Sequence, residues 1–304
     1  MQRLRFRVVD AEGLVPFQKG LQELEQSISY PVDDGADAFS IDHGPRYSDF
    51  FCRMGKARFL VVLEGERVVG SLVGVWREAN FGGKRCTGLY FCDLKLHRSV
   101  RGRGVPARIL WYVLQRWPVR RDFQGWRFVY FAAMQGDGGG DVARSFQGWH
   151  LGKIVTPVSV QWLYFVPSEQ LAALPEGGPS APERRGLDFS PDNTQLTEST
   201  HGRKDLRLHS TGEPWPLVHV PCGPDSWNVS LGTHLQRAGK RMLIEQPGSL
   251  ACFGLDERLQ EHTSWLESQG IQRGARCVIY GFSIPGWAPR MGTWSWAHLA
   301  TSEI

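Results

Sequence analysis

LYFCDLKLHRSVRGRGVPARILWYVLQRW, residues 89–117, passes from an apolar strand through a basic turn with two glycines into an apolar helix. A strand that ends in a Gly-rich turn at a helix start makes an anion site. The unpaired N–H groups of the first helical turn face outward, and the helix dipole adds partial positive charge. Arg98, Arg101 and Arg103 stand around that turn. The stretch predicts a dock for a phosphorylated cofactor, with the second substrate and the reacting groups supplied by the rest of the chain.

Upstream lie three strand-like runs: RFLVVLEG (58–65), ERVVGSLVGVWREANF (66–81) and KRCTGLYFCDLKLH (84–97). Gly65-Glu66 and Gly82-Gly83 sit at their joints, which predicts an antiparallel meander. The helix over 104–117 has few polar positions before its last turn, so it is expected to be buried against a sheet. GWRFVYFAAM (125–134) reads as a buried strand, and strand–helix–strand at this spacing predicts a parallel crossover. Further out, charged and apolar residues alternate over 3–9, which suits a half-buried strand. Leu21, Leu24 and Ile28 carry helical spacing over 14–28. Residues 31–47 read as loop and 47–53 as a short helix. GDGGGD (136–141) reads as a flexible loop, with Asp141 capping a short helix to about residue 148, and residues 154–166 add a strand.

Composition shifts at Pro167. PSEQLAALPEGGPSAPERRG reads as a linker or peripheral arm, and 188–205 is polar and weakly patterned. Strands are expected at 217–220, 249–255 and 276–282, and helices at 227–237 and 259–269, with an aromatic tail packed down at the end. The expected organisation is a first domain over 1–166, an arm over 167–205 and a smaller α/β unit over 206–304.

The bulk numbers exclude several classes. At 41% apolar, the 304 residues bury real cores. A net charge of +4 does not point to nucleic acid. The charges at Arg98, Arg101 and Arg103 are accounted for by cofactor phosphates, and Arg116, Arg120 and Arg121 fall at a helix C-terminus that favours cations. The six cysteines form no C-x-x-C pair, so no metal is expected and free thiols in a reducing compartment are. No apolar run approaches the roughly 20 residues of a membrane span, and the charged start is no signal peptide. A soluble, cytoplasmic protein is the expectation.

Residues Asp93 to Leu110, DLKLHRSVRGRGVPARIL, resemble motif A of the GCN5-related N-acetyltransferase superfamily. That signature is Arg/Gln-x-x-Gly-x-Gly/Ala after a strand with two alternating apolar residues. Arg101-Gly102-Arg103-Gly104-Val105 matches its start, Leu94 and Leu96 take the strand positions, and the order of elements over about 1–166 agrees. The resemblance implies an α/β fold of the acyl-CoA N-acyltransferase type, an α+β mixed sheet. The C-terminal unit resembles a degenerate half of the same fold. It also implies acetyl-CoA or another acyl-CoA as substrate, and an amine-bearing small molecule or peptide as acceptor. Backbone amides of Gly102, Arg103, Gly104 and Val105 would hold the pyrophosphate, with help from Arg101. Leu94, Lys95 and Leu96 would offer their strand edge to the pantetheine arm. The next strand, at Tyr130 to Met134, would form the other side of a gap that admits the thioester.

Two positions depart from the family pattern. Pro106 replaces the last glycine or alanine and removes one N–H from the cradle. Where many relatives carry a tyrosine that protonates the leaving thiolate, this chain has Ser145, Phe146 and Trp149. Asp93 is the first candidate for the base that takes the amine's proton, against a reading as partner of Lys95. His97, at the strand end, suits proton transfer, and Ser145 is the hydroxyl nearest the tyrosine's place. Tyr90, Tyr130, Asp141 and His150 are read as core, cap or surface residues. The competing class is a non-catalytic acyl-CoA-binding or scaffold protein, which Pro106 and the missing tyrosine favour.

Overall fold

Apolar alternation between residues 56 and 96 produces the meander on which everything else is laid. The computed structural model describes residues 3–32, 37–135, 155–182 and 186–304. The chain opens with β1 (Leu4–Val9), α1 (Gln18–Gln26), the short strands β2 (Tyr30–Val32) and β3 (Asp37–Asp42), and α2 (Tyr47–Met54). The meander is β4 (Lys56–Glu64), β5 (Arg67–Phe81) and β6 (Lys84–Leu96), from which α3 (Val105–Arg116) leads to β7 (Phe128–Gln135). There follow β8 (Thr156–Pro167), α4 (Ser168–Ala172), the two-residue strands β9 (Leu187–Asp188) and β10 (Glu198–Ser199), then β11 (Asp205–Leu208) and β12 (Leu217–His219). The chain finishes with α5 (Leu231–Glu245), β13 (Leu250–Asp256), α6 (Gln260–Ser268), β14 (Arg276–Ser283) and β15 (Ala297–His298).

One large sheet runs β1-β4-β5-β6-β7-β14-β8-β13-β12-β10. β6 and β7 are parallel, as the crossover through α3 requires. The expected division at 167–205 is not a break in this sheet. β14, from the C-terminal stretch, pairs antiparallel with β7 on one side and β8 on the other. The two expected units therefore share a continuous sheet.

Period-two alternation sends neighbouring residues of β4 to opposite faces. Phe59, Val61 and Leu63 join a core with Leu21, Leu24, Tyr47, Phe50 and Phe51 of α1 and α2. Leu60 and Val62 join a second core with Val100, Val105 and Ile109 under α3. A third core lies between α4, α5, α6 and strands β8, β12 and β13, around Leu171, Trp227, Leu235, Leu266 and Phe253.

Three expectations are corrected. Residues 31–47 are not all loop, because β3 pairs with β11, a partner some 165 positions away that no local pattern reveals. The stretch 188–205 is not peripheral. Leu187 and Phe189 are fully buried in the α1/α2 core, and Asp188 and Ser190 go in with them. Nor is α3 buried all round. Val105 and Ile109 face the sheet, while Trp111 and Leu114 are 55% and 42% exposed. The expected loop and short helix over 136–148, with Asp141, Ser145 and His150, lie outside the described residues.

Candidate active site

β6 and β7 run side by side only from Gly88↔Phe128 to Phe91↔Phe131. Beyond Phe91 the strands part. The cause is visible on the other edge of β6. Ser71 of β5 faces Lys95 while Val73 faces Cys92, so Asp93 and Leu94 together oppose Leu72. This bulge bends β6 away from β7. Asp93 adopts φ +53° within it, the one described non-glycine residue at positive φ. Aspartate is among the few residues that enter this region readily. The β7-facing edge of β6 beyond Phe91 is left without a strand partner. Leu94 is 38% exposed there, and Leu96 packs toward Val100, Val105 and Ile109.

On the α3 face, the basic turn has the form its glycines predict. Gly102 and Gly104 take φ +74° and +65°, and a Cβ on either would meet open space. Among the described residues the amides of Gly102, Gly104 and Val105 have no hydrogen-bond acceptor. They fit an anionic group. Pro106 lies in the first turn of α3, where its missing N–H interrupts no helical bond. Arg101 Nε donates to the Leu96 carbonyl at 3.1 Å, and Arg103 pairs with Glu64 at 2.8 Å, so both guanidiniums are anchored beside the turn.

On the opposite face, the bulge turns Asp93 and Lys95 into a buried ionic network against α1 and α2. Lys95 Nζ donates to Asp93 Oδ1 and, at 3.0 Å, to Glu25 Oε1. Tyr47 donates its hydroxyl to Asp93 Oδ2, and His43 Nδ1 bonds Glu25 Oε1. Lys95, His43 and Glu25 are at most 4% exposed. Taking such charges out of water costs several kcal/mol per ion, and only mutual pairing with satisfied hydrogen bonds offsets it. Burial opposes the Asp93 charge, but Lys95 and His43 outweigh it and hold the carboxyl down at about 2. Burial presses the Lys95 ammonium toward neutrality, and Asp93 with Glu25 overcomes that and raises its pKa. Burial lowers the pKa of His43 and raises that of Tyr47. Glu25, His43 and Asp93 have ligand atoms within 4.8 Å of one another, the grouping a cation would use. The Lys95 ammonium already stands between the two carboxylates.

The sequence expectations divide accordingly. Leu94, Leu96, Arg101, Gly102, Arg103, Gly104 and Val105 gather where β6 meets α3. Lys95 does not join them with its side chain, which turns to the other face. Asp93 stands at the parting of the strands, but both of its oxygens are taken and its low pKa makes it a weak base. His97 is drawn off in another direction. Its Nδ1 accepts from the Ser99 amide at 3.2 Å and its Nε2 bonds Arg67 at 2.9 Å. Burial and Arg67 lower its pKa. Ser145 lies outside the described residues. Tyr90 and Tyr130 stack at 4.8 Å beneath the parting, with the Tyr90 hydroxyl donating to the Glu303 carbonyl at 2.8 Å.

Two participants are absent from the sequence expectations. Glu25 was findable, because the spacing that sets Leu21, Leu24 and Ile28 on one helix face also sets a carboxylate there. Lys204 carried no signal. It lies in the turn before β11, where its Nζ donates to the Ile304 carbonyl oxygen and stands 5.0 Å from the Phe50 ring centroid. Beside the network, α1, β3 and the 202–207 stretch border a half-open pocket of about 440 Å³ lined by Gln22, Glu25, Ser40, Asp42, Asp205 and Arg207, among others. Glu25 thus belongs both to the cavity wall and to the ionic network. No helix among the described residues is long and apolar enough to cross a membrane.

No protein-family model and no curated protein sequence matches the chain. Solved structures do. N-myristoyltransferase of Saccharomyces cerevisiae with bound myristoyl-CoA superposes with a TM-score of 0.54 at 10% identity, over 97% of this chain and 84% of that one. A tandem GNAT protein from the clavulanic acid biosynthesis pathway gives 0.53 at 14% identity, over 95% of this chain and all of that one. The chain therefore has the fold of the GCN5-related N-acetyltransferase superfamily.

Proposed function

We propose that this protein transfers an acyl group from an acyl-CoA, acetyl or longer, to an amine. The observation that carries the reading is the parting of β6 and β7 after Phe91 and Phe131. It lies between the Gly-rich turn on the α3 face and the Asp93–Lys95 network on the other, and Glu25 of that network also lines the pocket beside α1. The amides of Gly102, Gly104 and Val105, with Arg101 and Arg103, are assigned to the pyrophosphate. The free edge of β6 at Leu94, Lys95 and Leu96 is assigned to the amides of the pantetheine arm. The acceptor amine is assigned to the cavity. Its carboxylates Glu25, Asp42 and Asp205 face one guanidinium, Arg207, which is itself paired with Asp42 at 2.8 Å. Such a lining favours a cationic or polar amine over an acidic one.

Amine attack on a thioester needs a held carbonyl and an uncharged nitrogen. Asp93 serves here by fixing Lys95 and Tyr47 and by shaping the bulge. Its low pKa leaves deprotonation of the amine to another group or to water. The test is release of CoA thiol from acetyl-CoA and from a long-chain acyl-CoA across a panel of primary amines, run beside binding measured by tryptophan fluorescence. Turnover supports the transferase. Tight binding with no turnover on any amine supports the acyl-CoA-binding or scaffold class, and absence of both overturns the assignment of the turn.

A further inference from the structure

α3 is apolar on two faces, and only one of them is covered. Its sequence, VPARILWYVLQR, carries charged or amide side chains at Arg108, Gln115 and Arg116 alone. Val105, Ile109, Tyr112 and Val113 pack toward the sheet, in the core with Leu60 and Val62. Residues three and four apart share a helix face. Ala107, Trp111 and Leu114 therefore form a stripe on the opposite side, with Leu110 beside it. Trp111 is 55% exposed, and its indole N–H has no acceptor among the described residues. Leu114 is exposed beside it, and Val119, in the turn that ends the helix, is 76% exposed. A helix apolar all round is normally enclosed by protein. This one leaves a convex apolar ridge in solvent. Scattered exposed apolar side chains are ordinary, whereas a contiguous ridge marks a contact surface.

The charge around the ridge has one sign. From Arg98 to Arg121 the sequence holds seven arginines, no lysine and no carboxylate. Arg103 pairs with Glu64, and Arg120 with Asp122. Arg108, on the shoulder of the helix beside Trp111, and Arg121, past its end, are both exposed, and neither has a carboxylate partner among the described residues. The Arg108 guanidinium lies 5.5 Å from the Phe6 ring centroid, so its stem rests on apolar surface while its charge stays at the rim. We propose that this face of α3 docks on an anionic lipid surface, with Trp111, Leu114 and Val119 entering the headgroup region and Arg108 and Arg121 meeting the lipid charges. A helix used in this way lies in the interface and spans nothing. Its binding comes from buried apolar area and attraction to anionic lipid together. An indole with an apolar body and a free N–H suits the headgroup level.

Other occupants fit the same face less well. A two-fold contact with a second copy sets the patch against itself, and would bring Arg108 and Arg121 toward their own counterparts with no carboxylate between Arg98 and Arg121 to meet them. Nucleic acid would use the arginines through its phosphates but leaves Leu114 and Val119 without a partner. An acidic protein would have to supply a groove shaped to a convex ridge, whereas a lipid surface receives it without one. The residues invoked are apart from those assigned to the pyrophosphate, since Trp111 lies about 10 Å beyond Gly104 along the helix axis. The inference therefore stands independently of acyl transfer.

The test is cosedimentation of the full chain with sucrose-loaded vesicles, of phosphatidylcholine alone and of phosphatidylcholine with an equal amount of phosphatidylglycerol. Wild type is compared with the double variants Trp111→Ser/Leu114→Ser and Arg108→Gln/Arg121→Gln. Wild type should bind the anionic vesicles and not the neutral ones, and more weakly as salt is raised. Each double variant should bind about 10-fold more weakly. Circular dichroism should match wild type in both, because all four side chains are exposed. If Trp111→Ser/Leu114→Ser fails to fold, the arginine variant decides. Wild type that leaves the anionic vesicles unbound, or a folded double variant that binds them within about 2-fold of wild type, overturns the proposal. Retention on polyuridylate without vesicle binding assigns the arginines to nucleic acid and overturns it. Capture on polyglutamate without vesicle binding does the same in favour of an acidic protein. A wild type that is dimeric in sedimentation equilibrium, with Trp111→Ser/Leu114→Ser monomeric, overturns it in favour of a second copy.

Discussion

Asp93→Asn isolates a charge from a backbone. Asp93 sits at φ +53°, a region asparagine enters as readily as aspartate, so the bulge survives the substitution. What is lost is the anion that Lys95 and Tyr47 address. The folded carboxyl lies at about 2 against an ordinary 3.8, and its side chain is 9% exposed, so solvent screening takes little away. The difference corresponds to about 2 kcal/mol of stability at neutral pH. The sign follows from the depressed pKa. The contribution is complete above the unfolded value near 3.8 and disappears as pH falls through about 2. The gap between wild type and Asp93→Asn should be full at neutral pH, roughly half as large by about pH 3, and closed below about pH 2. Urea titrations followed by tryptophan fluorescence at several pH values measure it, provided the slope is the same in both proteins. A gap under about 0.5 kcal/mol at neutral pH, or one that stays constant down to about pH 3, would refute the ionic account of the network.

Gly88→Ala places a Cβ 2.2 Å from the Phe128 ring, its register partner on β7, and should cost about 1–3 kcal/mol in a urea titration because neither strand can give way. Arg77→Met strands the Glu303 carboxylate, which is only 11% exposed and also accepts from Ser190. A loss of about 3–5 kcal/mol is expected, visible as a lowered thermal midpoint. Among the six thiols, Cys52 alone is exposed. Burial raises Cys92, Cys222, Cys252 and Cys277 above the ordinary thiol range. Titration of the native protein with dithiobisnitrobenzoate should therefore show one fast thiol and the remainder only on unfolding. Fast modification of Cys92 would mean that the opening beside it admits bulk water.

The central stretch was legible because its signals are local. Alternation over 58–97, glycines at the turn and an apolar helix after it each follow from residues within a few positions. The bulge was not legible, since Asp93-Leu94 reads as ordinary strand until Ser71 and Val73 fix the opposing register. The same distance problem hid β3, whose partner is β11, and the burial of Leu187 and Phe189 inside a polar segment. Asp93 and Lys95 were both noticed, one as base and one as cofactor contact. What neither residue's neighbourhood in the sequence shows is Glu25, a carboxylate from α1 that gives the Lys95 side chain a second anion. Lys204 needed the whole fold, because nothing in HGRKDLRL distinguishes it from a solvated lysine.

The insertion of β14 between β7 and β8 also sets a timetable for synthesis. A ribosome that has released residues up to about 170 has made β7 and β8 but not the strand that joins them. Both then present open backbone edges, and they stay open until Ser283 has emerged. More than a hundred residues must be translated in that interval, with pairings of high sequence separation still unmade. The nascent chain is thus most exposed to misassociation through β8 and through β7, one of the two strands that line the opening. A fragment ending near residue 170 is expected to be a client for holding chaperones rather than a soluble half of the fold.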